Sequence, residues 1–144
     1  MPPCAHGGIS LSASSGTHKT RGVDSTEVIS VELPADEFAL ITWGLWQWGG
    51  PGYCTDAMAV AMGFSDAERM LDEIQLMLRS LKSSRSLTRR DWARALLAVE
   101  VVFASDVAGA AYDWEIVTGW TDEDSIGVLR RLQGSLRKVR SRNF

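Results

Sequence analysis

From about residue 34 onward, apolar residues recur three and four positions apart, the spacing of one helical face. Pro34 suits a first helical position, and Asp36 and Glu37 suit a first turn. The pattern predicts a helix over 34–48. Phe38, Ile41, Leu45 and Trp48 share one of its faces, and Leu40, Trp43 and Trp46 fill much of the rest. A helix apolar nearly all round is either central or presents an aromatic face to a partner. The run Gly49-Gly50-Pro51-Gly52 ends it. Thr55 can cap a short helix over 56–62, closed by Gly63. Ser65 and Glu68 have the spacing of a capping box, which predicts a third helix over 66–82 with Met70, Leu71, Ile74, Met77, Leu78 and Leu81 inward. Residues 83–86 read as a loop.

Thr88 and Asp91 have capping-box spacing, with Asp in the usual Glu/Gln place, and open a fourth helix that is expected to reach Gly109 or a turn beyond. One stripe on it is Trp92, Leu96, Val99, Phe103 and Val107; a neighbouring one is Leu97, Val101, Ala104 and Ala108. Thr121 and Asp124 cap a fifth helix over 122–139, with Ile126, Leu129, Leu132 and Leu136 inward, and residues 140–144 fray. Two segments read differently. Residues 28–33 are extended or a short strand, and 114–118 (WEIVT) are β-branched and ambiguous, open to forming a short strand beside 28–31. The expected fold is mainly α: a compact bundle of about five helices with at most one short two-stranded β-ribbon. Residues 1–26, rich in Gly, Ser and Thr and lacking apolar periodicity, read as a disordered tail, and 27–144 as the helical domain.

Composition agrees with that picture without sharpening it. With 45% apolar and 23% charged residues the chain is an ordinary globular one. Cys4 and Cys54 make no disulfide framework, which fits a reduced, cytoplasmic setting. Residues 1–26 show no basic start followed by an apolar run. The most membrane-like stretch, 92–112, carries Arg94, Glu100 and Asp106, each costly at a bilayer centre, so it reads as a buried soluble helix. Arginine outnumbers lysine and Asn143 is the only asparagine, a bias that often accompanies a GC-rich bacterial genome.

Charge changes the picture more. The net charge of −3 hides blocks: 24–80 is strongly acidic, 81–99 basic, 100–125 holds seven acids and no base, and 126–144 holds six bases and no acid. Blocks of this kind arise when acidic and basic helices pack side by side, or when they are partner surfaces.

The chemistry is defined first by what is missing. Both histidines, His6 and His18, lie in the expected tail. The folded part therefore offers no Ser-His-Asp or Cys-His arrangement, no common zinc constellation, and no imidazole base. Carboxylates remain. Glu100, within LLAVEVVFA, is the candidate buried acid. It would be either a functional group with a raised pKa or the partner of an arginine from the third or fifth helix. Asp106 and Asp113, seven apart, share a face if the fourth helix continues, and with Glu115 offer oxygen ligands; the spacing matches no metal loop, and a solvated face explains it as well. Cys54 precedes a helix start, where backbone N–H groups lower a thiol pKa, but no base is near, so it reads as a small packed side chain. GGPGYCTD is glycine-rich before a helix yet lacks the Lys-Ser/Thr of a phosphate loop and reads as a turn. Residues 56–74 have the outline of a helix-turn-helix, but the second helix begins Asp66-Ala67-Glu68 and offers only Arg69 to phosphate, so nucleic acid is disfavoured. Basic stretches at 85–94 and 130–142 suit helix ends as well as they suit nucleic acid.

Six tryptophans are many for this length. Most would serve a core. Part of the Trp43/Trp46/Trp48 set, together with the acids Asp106, Asp113, Glu115, Asp122, Glu123 and Asp124, is the expected protein-binding surface, tryptophan being enriched at interfaces. No whole-chain family resemblance is visible. The leading expectation is a non-catalytic protein-binding module with no cofactor or metal. By class analogy alone it would be a toxin-neutralising immunity-type protein facing a basic toxin. A helix-turn-helix regulator and a small carboxylate enzyme or ligand sensor are the alternatives, and a homo-oligomer stays open.

Overall fold

The computed structural model describes residues 24–141. Among these the chain forms β1 (Val28–Ser30), α1 (Ala35–Gln47), α2 (Asp56–Ala61), α3 (Ala67–Ser84), β2 (Ser86–Thr88), α4 (Arg89–Ala104), α5 (Trp114–Thr118) and α6 (Asp122–Leu136). The expected mainly helical bundle with one short ribbon is what is found.

The ribbon does not use the expected partner. β1 pairs antiparallel with β2, Ile29 opposite Leu87, rather than with 114–118. Residues 83–86, read as a loop, divide between the last turn of α3, a left-handed Arg85 at φ 54°, and the start of β2. Arg85 is held there by contacts at both ends: its guanidinium stacks 3.4 Å from the Phe38 ring, and its carbonyl accepts from Val31 N–H. The segment WEIVT instead becomes the short helix α5. Trp114 is fully buried, donates to Ser125 Oγ at 2.7 Å and meets Phe103 edge-on; Gly119 at φ +75° ends the helix. One tryptophan anchor and a glycine stop outweigh the β preference of Ile116, Val117 and Thr118.

Side-chain caps set four helix starts. Thr55, Thr88 and Thr121 accept from the backbone N–H three residues on, as read from the sequence. The third helix is capped one residue later than expected, by Asp66 rather than Ser65, and Asp56 Oδ1 also accepts from Ala67 N–H. α1 has no side-chain cap; Pro34 stands just before the helix rather than in its first turn.

α4 stops at Ala104, short of Gly109. Ser105 turns into an extended conformation, its Oγ accepts from Ala108 N–H, and residues 105–110 fold back so that Ala110 N–H reaches the Val102 carbonyl at 2.7 Å. Gly109 permits this. A Cβ there would lie 2.7 Å from the Ser105 carbonyl and 2.8 Å from that of Val101, and would strike the Val102 carbonyl. The serine's local hydrogen bond competes with helix propagation, and glycine fits beneath the helix end. The break leaves Val107 on the surface.

α1 and α4 cross at the centre. Gly44 lies against Val99, and Trp48 Nε1 donates to the Ala98 carbonyl at 3.1 Å. Ile41, Leu45, Met70, Leu81, Trp92, Val99, Val102 and Leu132 are buried around that crossing. Leu71, Ile126 and Val107, expected inward, are exposed, while Val128 and Ser125 replace Ile126 on the inner face of α6. Residues 24–26 form a turn, and Ser25 accepts from Arg90 N–H at 3.0 Å; residues 1–23 of the expected tail and residues 142–144 lie outside the described residues.

Candidate functional site

α1 buries Ile41, Leu45 and Trp48 against α4. The same helical periodicity turns Thr42, Trp43, Trp46 and the long side of Gln47 toward the C-terminal end of α3 and toward α5. There they line a groove of ≈ 460 Å³ with Leu78, Lys82, Val117 and Thr118. Trp43 is 39% and Trp46 60% exposed. Trp43 rests its ring against Trp120, centroids 4.9 Å apart, and the Lys82 ammonium stands 5.9 Å from the Trp46 ring. Gln47 is only 6% exposed; its carboxamide has no protein hydrogen-bond partner among the described residues, and its polar atoms keep contact with solvent in the groove. Exposed indoles around a concave, mostly apolar surface with one largely buried amide are suited to binding.

The acids divide. Asp122, Glu123 and Asp124 form the exposed first turn of α6, where the helix dipole favours them. Glu115 joins them, its Oε1 accepting from Asp122 N–H at 3.2 Å. Since Trp120 leans on Trp43 and α5 supplies Val117 and Thr118, this acidic group borders the groove. Asp113 stands at the α5 N-terminus without capping it. Asp106 lies in the loop after α4, so it and Asp113 do not recur along one helix. Among the described residues the ion pairs are Arg89–Glu27, Arg94–Glu73, Arg94–Asp91 and Arg131–Asp36; none uses an acid of the 100–125 block. The two basic blocks instead converge. Arg89 donates to the carbonyls of Lys138 and Val139, bringing the start of α4 to the end of α6.

Glu100 is half-buried rather than a core acid. The expected arginine is not its partner: Gln133 of α6 donates to its Oε1 at 2.7 Å. It lines a cleft of ≈ 480 Å³ with Leu97, Gln133, Arg137 and Arg140. The deeply buried acid is Glu37, 3% exposed, accepting from Ser135 Oγ at 2.7 Å. The signal for it was present, since 37, 41 and 45 follow one another at a helical spacing of four. Arg94, also missed, is 5% exposed and shares its face with Ala98 and Val102. A charged residue on an apolar stripe reads as an interruption until its partners are visible. Here Asp91, Glu73 and the Gly63 carbonyl all accept from it.

Cys54 is half-buried, its thiol 3.4 Å from the Met70 sulfur. Burial, helped by the nearby Asp56 charge, pushes its pKa up rather than down. A nucleophilic role gains nothing from that. Alkylation at Cys54, read by peptide mapping, is expected to reach its plateau at a higher pH than that of a free thiol followed in the same reaction. Asp56→Asn should shift that plateau to lower pH. A plateau at Cys54 below neutral pH would contradict the burial argument.

α2 and α3 do form a helix pair with a turn at Gly63, φ 90°. The exposed face of α3 carries Glu68 and Asp72 beside Arg69 and Arg79, a mixed charge poorly matched to phosphate. Among the described residues no group of three or more His, Cys, Asp or Glu is placed to hold a metal ion, and no helix is long and apolar enough to cross a membrane. No family model matches the chain, and no curated protein or solved structure matches it either.

Proposed function

We propose that the protein is a non-catalytic binding module for a basic protein partner. The observation that carries this reading is the Trp43/Trp46 groove lying beside the acids Glu115, Asp122, Glu123 and Asp124, none of which is ion-paired among the described residues. An aromatic anchor site supplies affinity, and a neighbouring charge of one sign supplies steering and register. A basic toxin held by its immunity-type protein is the version of this reading that class analogy favours.

Photo-crosslinking in the native host tests it, with the photoreactive amino acid placed at Trp46, at Glu123 and, as a control on another face, at Leu76. One discrete protein adduct is expected at 46 and 123, absent at 76, and lost when Asp122 and Asp124 are changed to lysine in the Trp46 reporter. Thermal stability must be followed in the same variants, because the lysines also remove favourable charge from the α6 N-terminus. Equal adducts at all three positions, or adducts to nucleic acid alone, would overturn the reading.

A further inference from the structure

Gln47 is the feature of the groove that apolar docking does not explain. A carboxamide has two donor hydrogens and an acceptor oxygen. When buried it needs partners, and an occupant that displaced water without replacing those bonds would bind poorly. Gln47 lines the groove, is 6% exposed, and has no side-chain partner among the described residues. It is the last residue of α1, and its carbonyl is engaged by Gly50 and Gly52 N–H at 3.0 and 2.8 Å, so the backbone that carries the side chain is fixed.

We infer that the groove takes an extended segment of a basic protein partner, with an apolar side chain between Trp43, Trp46 and Val117 and a main-chain amide paired with the Gln47 carboxamide. This rests on the protein-binding reading above and narrows it. The extended form follows from the donor and acceptor inventory. A helical segment already uses its N–H and C=O groups internally and would leave Gln47 unmet. An extended segment presents both groups, and one primary amide can pair with the two of them. Charge sets the direction. Lys82 stands at the Trp46 end and repels cations, whereas Glu115 and Asp122 lie beyond Thr118. The basic residues of the segment therefore follow the α5 side. The volume of ≈ 460 Å³ holds one large side chain with its flanking backbone, not a folded domain.

The test uses the full chain and two synthetic probes. One is an unstructured, end-blocked peptide with a single leucine followed by lysines. The other is its analogue with the leucine amide N–H replaced by an ester oxygen. Binding is read by NMR from the indole resonances of Trp43 and Trp46 and from the Gln47 side-chain amide. The peptide should move all three, and glutamates in place of its lysines should abolish the shifts. The ester should bind about tenfold more weakly than the amide to the wild type, as the loss of one buried hydrogen bond implies. In Gln47→Met that preference should vanish. The wild-type comparison needs no variant, so a folding defect in Gln47→Met leaves the amide–ester ratio decisive. If the indoles move but amide and ester bind alike, the Gln47 pairing is wrong while protein docking at the groove stands. If no probe peptide moves the indoles at millimolar concentration, the extended occupant is wrong, and the crosslinking result decides the broader reading separately. If free adenosine moves them and the peptides do not, the groove is a small-molecule site and both readings fall.

Discussion

Gly44→Val is expected to destabilise the protein by about 3 kcal/mol or more, and Gly44→Ala by about 1–2 kcal/mol. On an isolated helix either change would help, because glycine is the poorest helix former after proline. Here a Cβ would stand 2.8 and 2.9 Å from the two γ-carbons of Val99. Val99 is fully buried between Ala98 and Val102, which are fully buried too, so it has nowhere to retreat. The clash therefore exceeds the gain of about 1 kcal/mol in helix propensity. The diagnostic is a double-mutant cycle in urea. Val99→Ala alone should cost about 1–3 kcal/mol through the cavity it leaves. Combined with Gly44→Ala it should cost less than the sum of the two single changes, since each makes room for the other. Strict additivity would mean that the α1–α4 crossing is looser than described.

Arg94→Met is expected to cost about 2–3 kcal/mol. The guanidinium is almost wholly enclosed, bonds Asp91, both carboxylate oxygens of Glu73 and the Gly63 carbonyl, and lies 4.3 Å from the Phe64 ring. Removing one member of a buried pair typically costs more, because a stranded charge remains. In this case the side chains of Asp91 and Glu73 keep 25% and 39% exposure and can rehydrate, which sets the lower figure. Arg94→Lys should cost nearly as much, since an ammonium cannot supply the fork that reaches three acceptors. Hydrogen exchange in the 56–66 region should quicken in both variants, because Arg94 and Arg90 both hold the Gly63 carbonyl. A Met variant within about 0.5 kcal/mol of the wild type would show that packing alone holds the α2–α3 turn against α4.

The bundle was legible because its signals are local. Threonine caps at 55, 88 and 121 and the apolar stripes of α3 and α4 need no knowledge of the rest of the chain. The errors fall where a distant residue decides. Residues 114–118 have strand-like composition, and the buried seat of Trp114 together with the left-handed Gly119 makes them helical. Ser105 ends α4 because Gly109 can fold beneath it, a pairing that periodicity does not encode. In the site, the sequence left Trp43 and Trp46 between core and partner face and set Glu115 with Asp106 and Asp113 as much as with Asp122–Asp124; the exposure of both indoles and the contact of Glu115 with Asp122 come from the fold. So does the place of Gln47. A glutamine at the end of an apolar helix looks like ordinary surface until α3 and α5 close over it. Glu100 was over-read for a related reason: an acid inside an apolar run looks buried, yet it faces the α4–α6 cleft, where a neutral amide meets it.

Arg89 and Arg90 bear on how the module can be joined to other chains. Ser25 accepts from Arg90 N–H, and Ser141 N–H donates to the Arg89 carbonyl, each at 3.0 Å. The two ends of the described chain are thus attached to successive residues of one helical turn. They sit beside the end of α6, whose fifteen residues span about 22 Å from there to the acidic turn at Asp122. A short covalent bridge between these ends, with new termini opened in the Gly49–Gly52 turn, should give a permuted chain of the same fold. By the same geometry residues 24–141 can be spliced into a loop of a host protein through two adjacent junctions.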